Sequence, residues 1–138
     1  MLKEGECYAY FMVAGSFDPD AVSQRVGMAP TERWRKGDLN PRTNRERGFS
    51  RWILGSRLGK TSPFEKHVQD VLDHMDMNRT AFRKTSIELG GTMQLVGRFH
   101  AGLPVLTFER SIVERMAEYA LSLDCDFSDV RSEIWEES

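Results

Sequence analysis

The chain is poor in the residues that usually betray chemistry. Its two cysteines, Cys7 and Cys125, lie far apart in no metal or redox spacing, so both read as small buried or half-buried thiols and no disulfide is expected. Of the three histidines, His67 and His74 are seven residues apart on one helix. Ligands sharing a helix sit about one turn apart, so no metal site is expected, and His74 and His100 read as surface and turn residues. No apolar run approaches the roughly 20 residues that cross a bilayer, and the start Met1-Leu2-Lys3-Glu4-Gly5-Glu6 lacks a signal peptide's apolar segment. The expectation is a cytoplasmic protein with no membrane contact.

Catalytic patterns are equally scarce. No serine sits in a nucleophile elbow. The stretch Gly55-Ser56-Arg57-Leu58-Gly59-Lys60-Thr61 has the strand-before-helix setting of a phosphate loop, but three residues separate its glycines where that loop needs about four. A turn with a solvated lysine accounts for it, although a helix N-terminus beside Arg57 and Lys60 offers a weak anion site. Asp18 and Asp20 are explained by helix capping, and Asp124, Asp126 and Asp129 by the wet face of an edge strand. No catalytic residue, cofactor or metal is assigned.

What the chain does have is uneven charge. Its net charge of -2 conceals nine basic residues against two acids between Arg33 and Lys60, and nine acids against three basic residues from Glu109 to Ser138. Such a field steers partners without deciding a fold. At 138 residues, 40% hydrophobic and 29% charged, the chain fits one globular domain that buries about two-thirds of its unfolded surface.

The elements follow from pattern and punctuation. Cys7 to Ala14 reads as an aromatic-rich strand interrupted by Gly15. Asp18 is a helix N-cap with Pro19 at the first helical position, Phe17 can staple onto Val22, and Gly27 and Pro30 end the helix. A polar loop of about 12 residues follows Asp38, long enough to be functional or mobile, and Phe49 to Leu54 reads as a strand. Ser62-Pro63-Phe64-Glu65 reads as a capping box opening a helix with Phe64, Val68, Val71, Leu72 and Met75 on one face. Met77 to Glu88 fits either a connection or a second short helix. Met93 to His100 reads as a half-buried strand, turning at Ala101-Gly102-Leu103-Pro104 into a hairpin partner at Val105 to Phe108. Ser111-Ile112-Val113-Glu114 reads as another capping box before an amphipathic helix, and Leu123 to Ser128 as a last strand with one wet face. An α+β single domain over residues 1–138 is expected, with a mixed or mainly antiparallel sheet of about five strands and about three helices packed on it.

Tryptophans and arginines remain. Trp52, between strand residues, reads as core. Trp34, flanked by Arg33, Arg35 and Lys36, either packs over the sheet with its basic neighbours in solvent or lines a ligand or partner surface. Trp135 either covers an apolar edge or belongs to a homodimer contact. The candidate ligand- or partner-binding residues are Arg33, Trp34, Arg35, Lys36, Arg51, Arg57 and Lys60.

Together, the first strand with Gly15, the Phe17-Asp18-Pro19 helix start, the Gly27 to Pro30 exit, the Trp34 to Gly37-Asp38 step and the Ser50-Arg51-Trp52 strand resemble an uncharacterised bacterial family catalogued as domain of unknown function 4279. The resemblance covers most of the chain and implies its fold and a bacterial cytosolic setting. It carries no catalytic residue with it, and the arginine-rich loop between Asp38 and Trp52 is this chain's own feature. Two function classes follow. The first is a non-enzymatic interaction module, for example an immunity-type domain neutralising a toxin, whose basic loop around Trp34 meets an acidic protein partner. The second is a binding protein or enzyme for a small anionic ligand, a phosphate or carboxylate. Sequence-specific nucleic-acid binding ranks behind both, since the chain is acidic overall and lacks a recognition-helix pattern.

Overall fold

Asp18 and Pro19 open the first helix as their residue types dictate: the Asp18 carboxylate accepts the Asp20 N–H at 3.0 Å, and Gly27, at φ 72, closes the helix in the left-handed region that other residues resist. The computed structural model describes residues 2–99 and 106–129. In chain order the elements are β1 (Cys7–Gly15), α1 (Pro19–Val26), β2 (Glu32–Trp34), β3 (Ser50–Gly55), α2 (Phe64–Met75), a 3-10 turn (Asp76–Asn78), α3 (Arg79–Leu89), β4 (Thr92–Phe99), α4 (Arg110–Glu118) and β5 (Ser122–Asp129). The segment after Met77 that fits two readings is thus helical.

The five strands form one mixed sheet in the order β2-β3-β1-β4-β5, antiparallel except for the β4–β5 pair. Successive strand residues face opposite sides. Cys7, Ala9, Phe11 and Val13 of β1 therefore meet the helices together with Trp52 and Leu54 of β3 and Met93 and Leu95 of β4, and all are buried. The core centres on Phe11, Trp52 and Phe82, whose rings lie 5.6–6.2 Å apart at steep angles. Trp52 Nε1 donates to Ser23 Oγ at 3.0 Å, which ties β3 to α1. Val68, Val71, Leu72 and Met75 of α2 are fully buried, as their spacing demands. No helix among the described residues is long and apolar enough to cross a membrane.

Several local expectations are corrected. Neither capping box forms. Helix α2 begins after Pro63, whose carbonyl takes the Lys66 and His67 N–H groups, while the Ser62 carbonyl accepts the Cys7 thiol. Helix α4 begins after Glu109, so Ser111 lies inside its first turn, and Arg110 pairs with Glu114 at 2.8 Å. Glu32–Trp34 is a strand, because the free edge of β3 supplies partners that three polar-flanked residues do not advertise. Leu106 to Phe108 are not in a strand. Cys125 is exposed on the edge strand β5, whereas Cys7 is buried on the central strand β1. The expected turn at Ala101-Gly102-Leu103-Pro104, together with His100, Val105 and Trp135, lies outside the described residues.

Candidate functional site

Among the described residues, no helix packs across the second face of the sheet. Alternation puts Tyr8, Tyr10 and Met12 of β1 there, and the registers add Ile53 and Arg51 of β3, Glu32 and Trp34 of β2, Gln94 and Val96 of β4, and Asp124 and Asp126 of β5. The strands thus bring Arg51 and Glu32 to the β2–β3 side of this face, and Arg98 of β4 beside Asp124 and Asp126 at the β5 side.

The polar loop folds over the cationic side in an ordered path. Leu39 and Glu46 form an isolated antiparallel bridge, and the Arg47 N–H donates to the Asp38 carbonyl at 2.7 Å. Asn40 accepts the Arg42 N–H, Asp38 accepts the Arg35 N–H, and Ser50 accepts the Lys36 N–H. The loop is thereby pinned at both ends. It lays the Arg47 guanidinium 3.9 Å from the centre of the Trp34 ring, with Arg51 5.3 Å from the same centre. Arg51 also donates to Tyr10 Oη at 3.1 Å. Beneath the loop is a sheltered hollow of about 280 Å³ lined by Trp34, Asn40, Arg42, Arg47, Arg51 and Tyr10 among others. It continues into an open groove of about 930 Å³ that passes Tyr8, Lys60 and Val96 and ends at Arg98, Asp126 and Ser128.

In the hollow, Trp34 Nε1, Arg47 Nε and Arg51 Nε are buried and have no hydrogen-bond partner among the described residues. Arg42, Arg47 and Arg51 make no ion pair with a described carboxylate. Buried donors are ordinarily satisfied, because leaving one unpaired costs about 1–3 kcal/mol. Three such donors around one ring, with three arginines against the single carboxylate of Glu32 in the lining, make an arrangement that can accept an anion. Tyr8 has its phenol pushed up by burial and by the nearby Asp70 charge, so it enters the groove as a neutral donor. The hydroxyl end of its ring comes up against Gly55, where a Cβ would collide with it, so β3 needs a glycine for Tyr8 to reach this position.

The candidates named from sequence part company here. Trp34, Arg51 and Lys60 line the hollow and groove. Arg33 and Arg35 are bound elsewhere: Arg33 pairs with Asp20 at 3.4 Å, and Arg35 pairs with Asp18 and Asp20 at the start of α1. Lys36 sits beside Arg35, Ser16 and Ser50 in a separate shallow depression. Arg57 grips Asp70 of α2 through its backbone N–H at 2.7 Å and its guanidinium at 2.9 Å, so it is not free to hold an anion. Burial pushes the Asp70 carboxyl up, but the hydrogen bonds and charge of Arg57 outweigh it and leave the group below the ordinary carboxylate value. Replacing Asp70 with asparagine is expected to cost about 1 kcal/mol in urea denaturation, the upper end for an ion pair with one wet partner, and to leave the groove unchanged. Tyr8, Tyr10, Arg42 and Arg47 complete the site; the alternation of Cys7 to Val13 was the available signal for the tyrosines.

A buried serine–histidine pair escaped the sequence reading. His67 Nδ1 lies 2.7 Å from Ser56 Oγ, which also accepts the Leu58 N–H, and burial pushes the imidazole down. The histidine is fully buried and neither residue lines the groove, so the pair braces the β3–α2 connection. His74 is half-buried, with Nδ1 unpartnered, and is not the surface residue expected. Among the described residues no group of three or more metal-ligating side chains converges.

A helix-backed mixed sheet with an arginine-fringed groove on its other face defines an α+β fold. The family model described as domain of unknown function (DUF4279) matches residues 5–130, and the chain belongs to that family. No curated protein and no solved structure matches it.

Proposed function

We propose that this protein is a non-enzymatic binding module that receives an anionic group, a phosphate or carboxylate, in the hollow between Trp34, Arg42, Arg47 and Arg51. The observation that carries this reading is the set of three buried, unpaired donors, Trp34 Nε1, Arg47 Nε and Arg51 Nε, converging around one indole. An oxyanion entering there replaces the missing acceptors and neutralises charge that Glu32 alone does not balance. The anion belongs either to a small free ligand or to an acidic protein partner, since the hollow opens into the long groove and the loop bearing Arg42, Arg45 and Arg47 is exposed around it.

A thermal-shift screen with inorganic phosphate, sulfate and phosphorylated or carboxylated metabolites tests the reading. A ligand at 100 times its dissociation constant adds about 2.7 kcal/mol of stability and raises the melting temperature by several degrees. Arg47→Gln and Arg51→Met are expected to abolish that shift while Arg35→Gln retains it. A flat screen, or equal loss on all three substitutions, would falsify the assignment of this hollow.

A further inference from the structure

We infer that the anion taken in the hollow is a free acidic α-amino acid, aspartate or glutamate, whose ammonium group pairs with Glu32 while its two carboxylates meet the arginines. This names the ligand class of the anion-binding reading and rests on it. Glu32 lines the hollow together with Arg42, Arg47 and Arg51. It lies two residues from Trp34 on the same face of β2, about 7 Å along the strand. Arg51 stands opposite Trp34 across the β2–β3 ladder, so Glu32 and Arg51 are diagonal neighbours, about 7–8 Å apart at the backbone and within reach of long side chains. They do not pair. Glu32 makes no hydrogen bond or ion pair with any described residue, and Arg51 gives an outer nitrogen to Tyr10 Oη and Met12 Sδ instead.

Unpaired charges of opposite sign in the wall of one hollow select its ligand. Phosphate, or a carboxylate with no cation of its own, satisfies the arginines but sets its charge beside Glu32, where like charges repel. An α-amino acid carries its ammonium next to a carboxylate. With the ammonium at Glu32 and the carboxylate at Arg47 and Arg51, one small molecule satisfies both walls. The remaining cation decides the side chain. Arg42 lines both the hollow and the groove that follows it, and its guanidinium pairs with no described carboxylate. A second carboxylate on a short side chain meets it there. Thr31, whose hydroxyl accepts the Gly55 N–H at 2.8 Å, keeps its own proton for a ligand oxygen. The hollow of about 280 Å³ falls just below the roughly 300–1,000 Å³ of ordinary ligand pockets, which suits a molecule of amino-acid size.

Isothermal titration calorimetry of the full chain with L-glutamate, L-aspartate, glutarate, L-glutamine and inorganic phosphate tests this. Glutarate is glutamate without its ammonium group, and L-glutamine is glutamate without its side-chain charge. The tighter of the two acidic amino acids is expected to bind about five-fold better than either analogue, the amount one partly exposed ion pair contributes. Glu32→Gln is expected to weaken the amino acids to the level of glutarate while glutarate binds as tightly as before or tighter, which also shows that the variant folds. Arg42→Gln is expected to remove the preference for glutamate over glutamine and to keep the preference for glutamate over glutarate. If glutarate or phosphate binds the native chain as tightly as the amino acids, or if Glu32→Gln weakens every ligand equally, the inference falls and the anion hollow stands. L-glutamine binding as tightly as L-glutamate overturns the choice of an acidic side chain. Absence of binding by all five ligands overturns this inference and the anion-binding reading together.

Discussion

Trp52→Ala is expected to lose about 3–5 kcal/mol, the range for deleting a fully buried aromatic side chain, and on a domain whose whole stability is about 5–15 kcal/mol this leaves a large unfolded fraction at physiological temperature. Trp52 is fully buried, packs against Phe11 and Phe82, and is the one link by which β3 hydrogen-bonds to α1 through Ser23. Truncation opens a cavity at the centre of the ring cluster and leaves the Ser23 hydroxyl without its donor. Trp52→Phe keeps most of the apolar contact and loses the Nε1 hydrogen bond, so about 1–2 kcal/mol is expected for it. Urea denaturation of the two variants measures the difference. A loss for the alanine variant no larger than for the phenylalanine one would show that this ring is not the core's centre.

Acidification from about pH 7 to about pH 5 is expected to destabilise the protein through two shielded imidazoles, His67 and His74. Burial holds the His67 imidazole below its ordinary value of 6.5, partly offset by the charge of Asp70. Burial and the charge of Arg57 do the same to His74, with Asp70 again opposing. The sign follows directly: the unfolded chain binds these protons first, so stability is complete above 6.5 and falls as pH drops below it. Each imidazole contributes a slope of up to about 1.4 kcal/mol per pH unit. Asp18, Asp70 and Asp76 are lowered from 3.8 by their hydrogen-bond and charge partners, so their share persists to more acid pH and is lost only as pH falls through their depressed folded values. His67→Asn, which can keep a hydrogen bond to Ser56, should flatten the upper part of the profile. Chemical denaturation at a series of pH values checks this, and an unchanged slope in that variant would remove His67 from the account.

Much of the fold was written in local signals. The Asp18-Pro19 start and Gly27 stop of α1 rest on hydrogen bonds and backbone angles that neighbouring residues supply, and the apolar stripe of α2 is legible because five positions at helical spacing need one surface to bury against. The failed capping boxes show the limit of such signals. Ser62 and Ser111 have the right neighbours, but tertiary packing starts one helix a residue later and the other earlier, and a cap contributes only about 1 kcal/mol toward deciding the start.

The site was half legible. Charge counting found the cationic segment, yet Arg33, Trp34 and Arg35 read as one patch in the linear chain and are not one in space. Strand pairing with β3 turns Trp34 to the bare face while Arg33 turns to α1, where the carboxylates of Asp18 and Asp20 hold both it and Arg35. The sequence by itself determined the composition of charge, the helix faces and the alternation that puts Tyr8 and Tyr10 opposite the core, because these depend on neighbours within a few positions. Only the tertiary structure decided that Glu32–Trp34 would be a strand, that the loop would carry Arg42 and Arg47 over the sheet, and that β5 would set Asp126 at the far end of the same groove. Those placements come from pairings between residues distant in the chain, and a hydrogen bond across a sheet leaves no local mark on the sequence at either end.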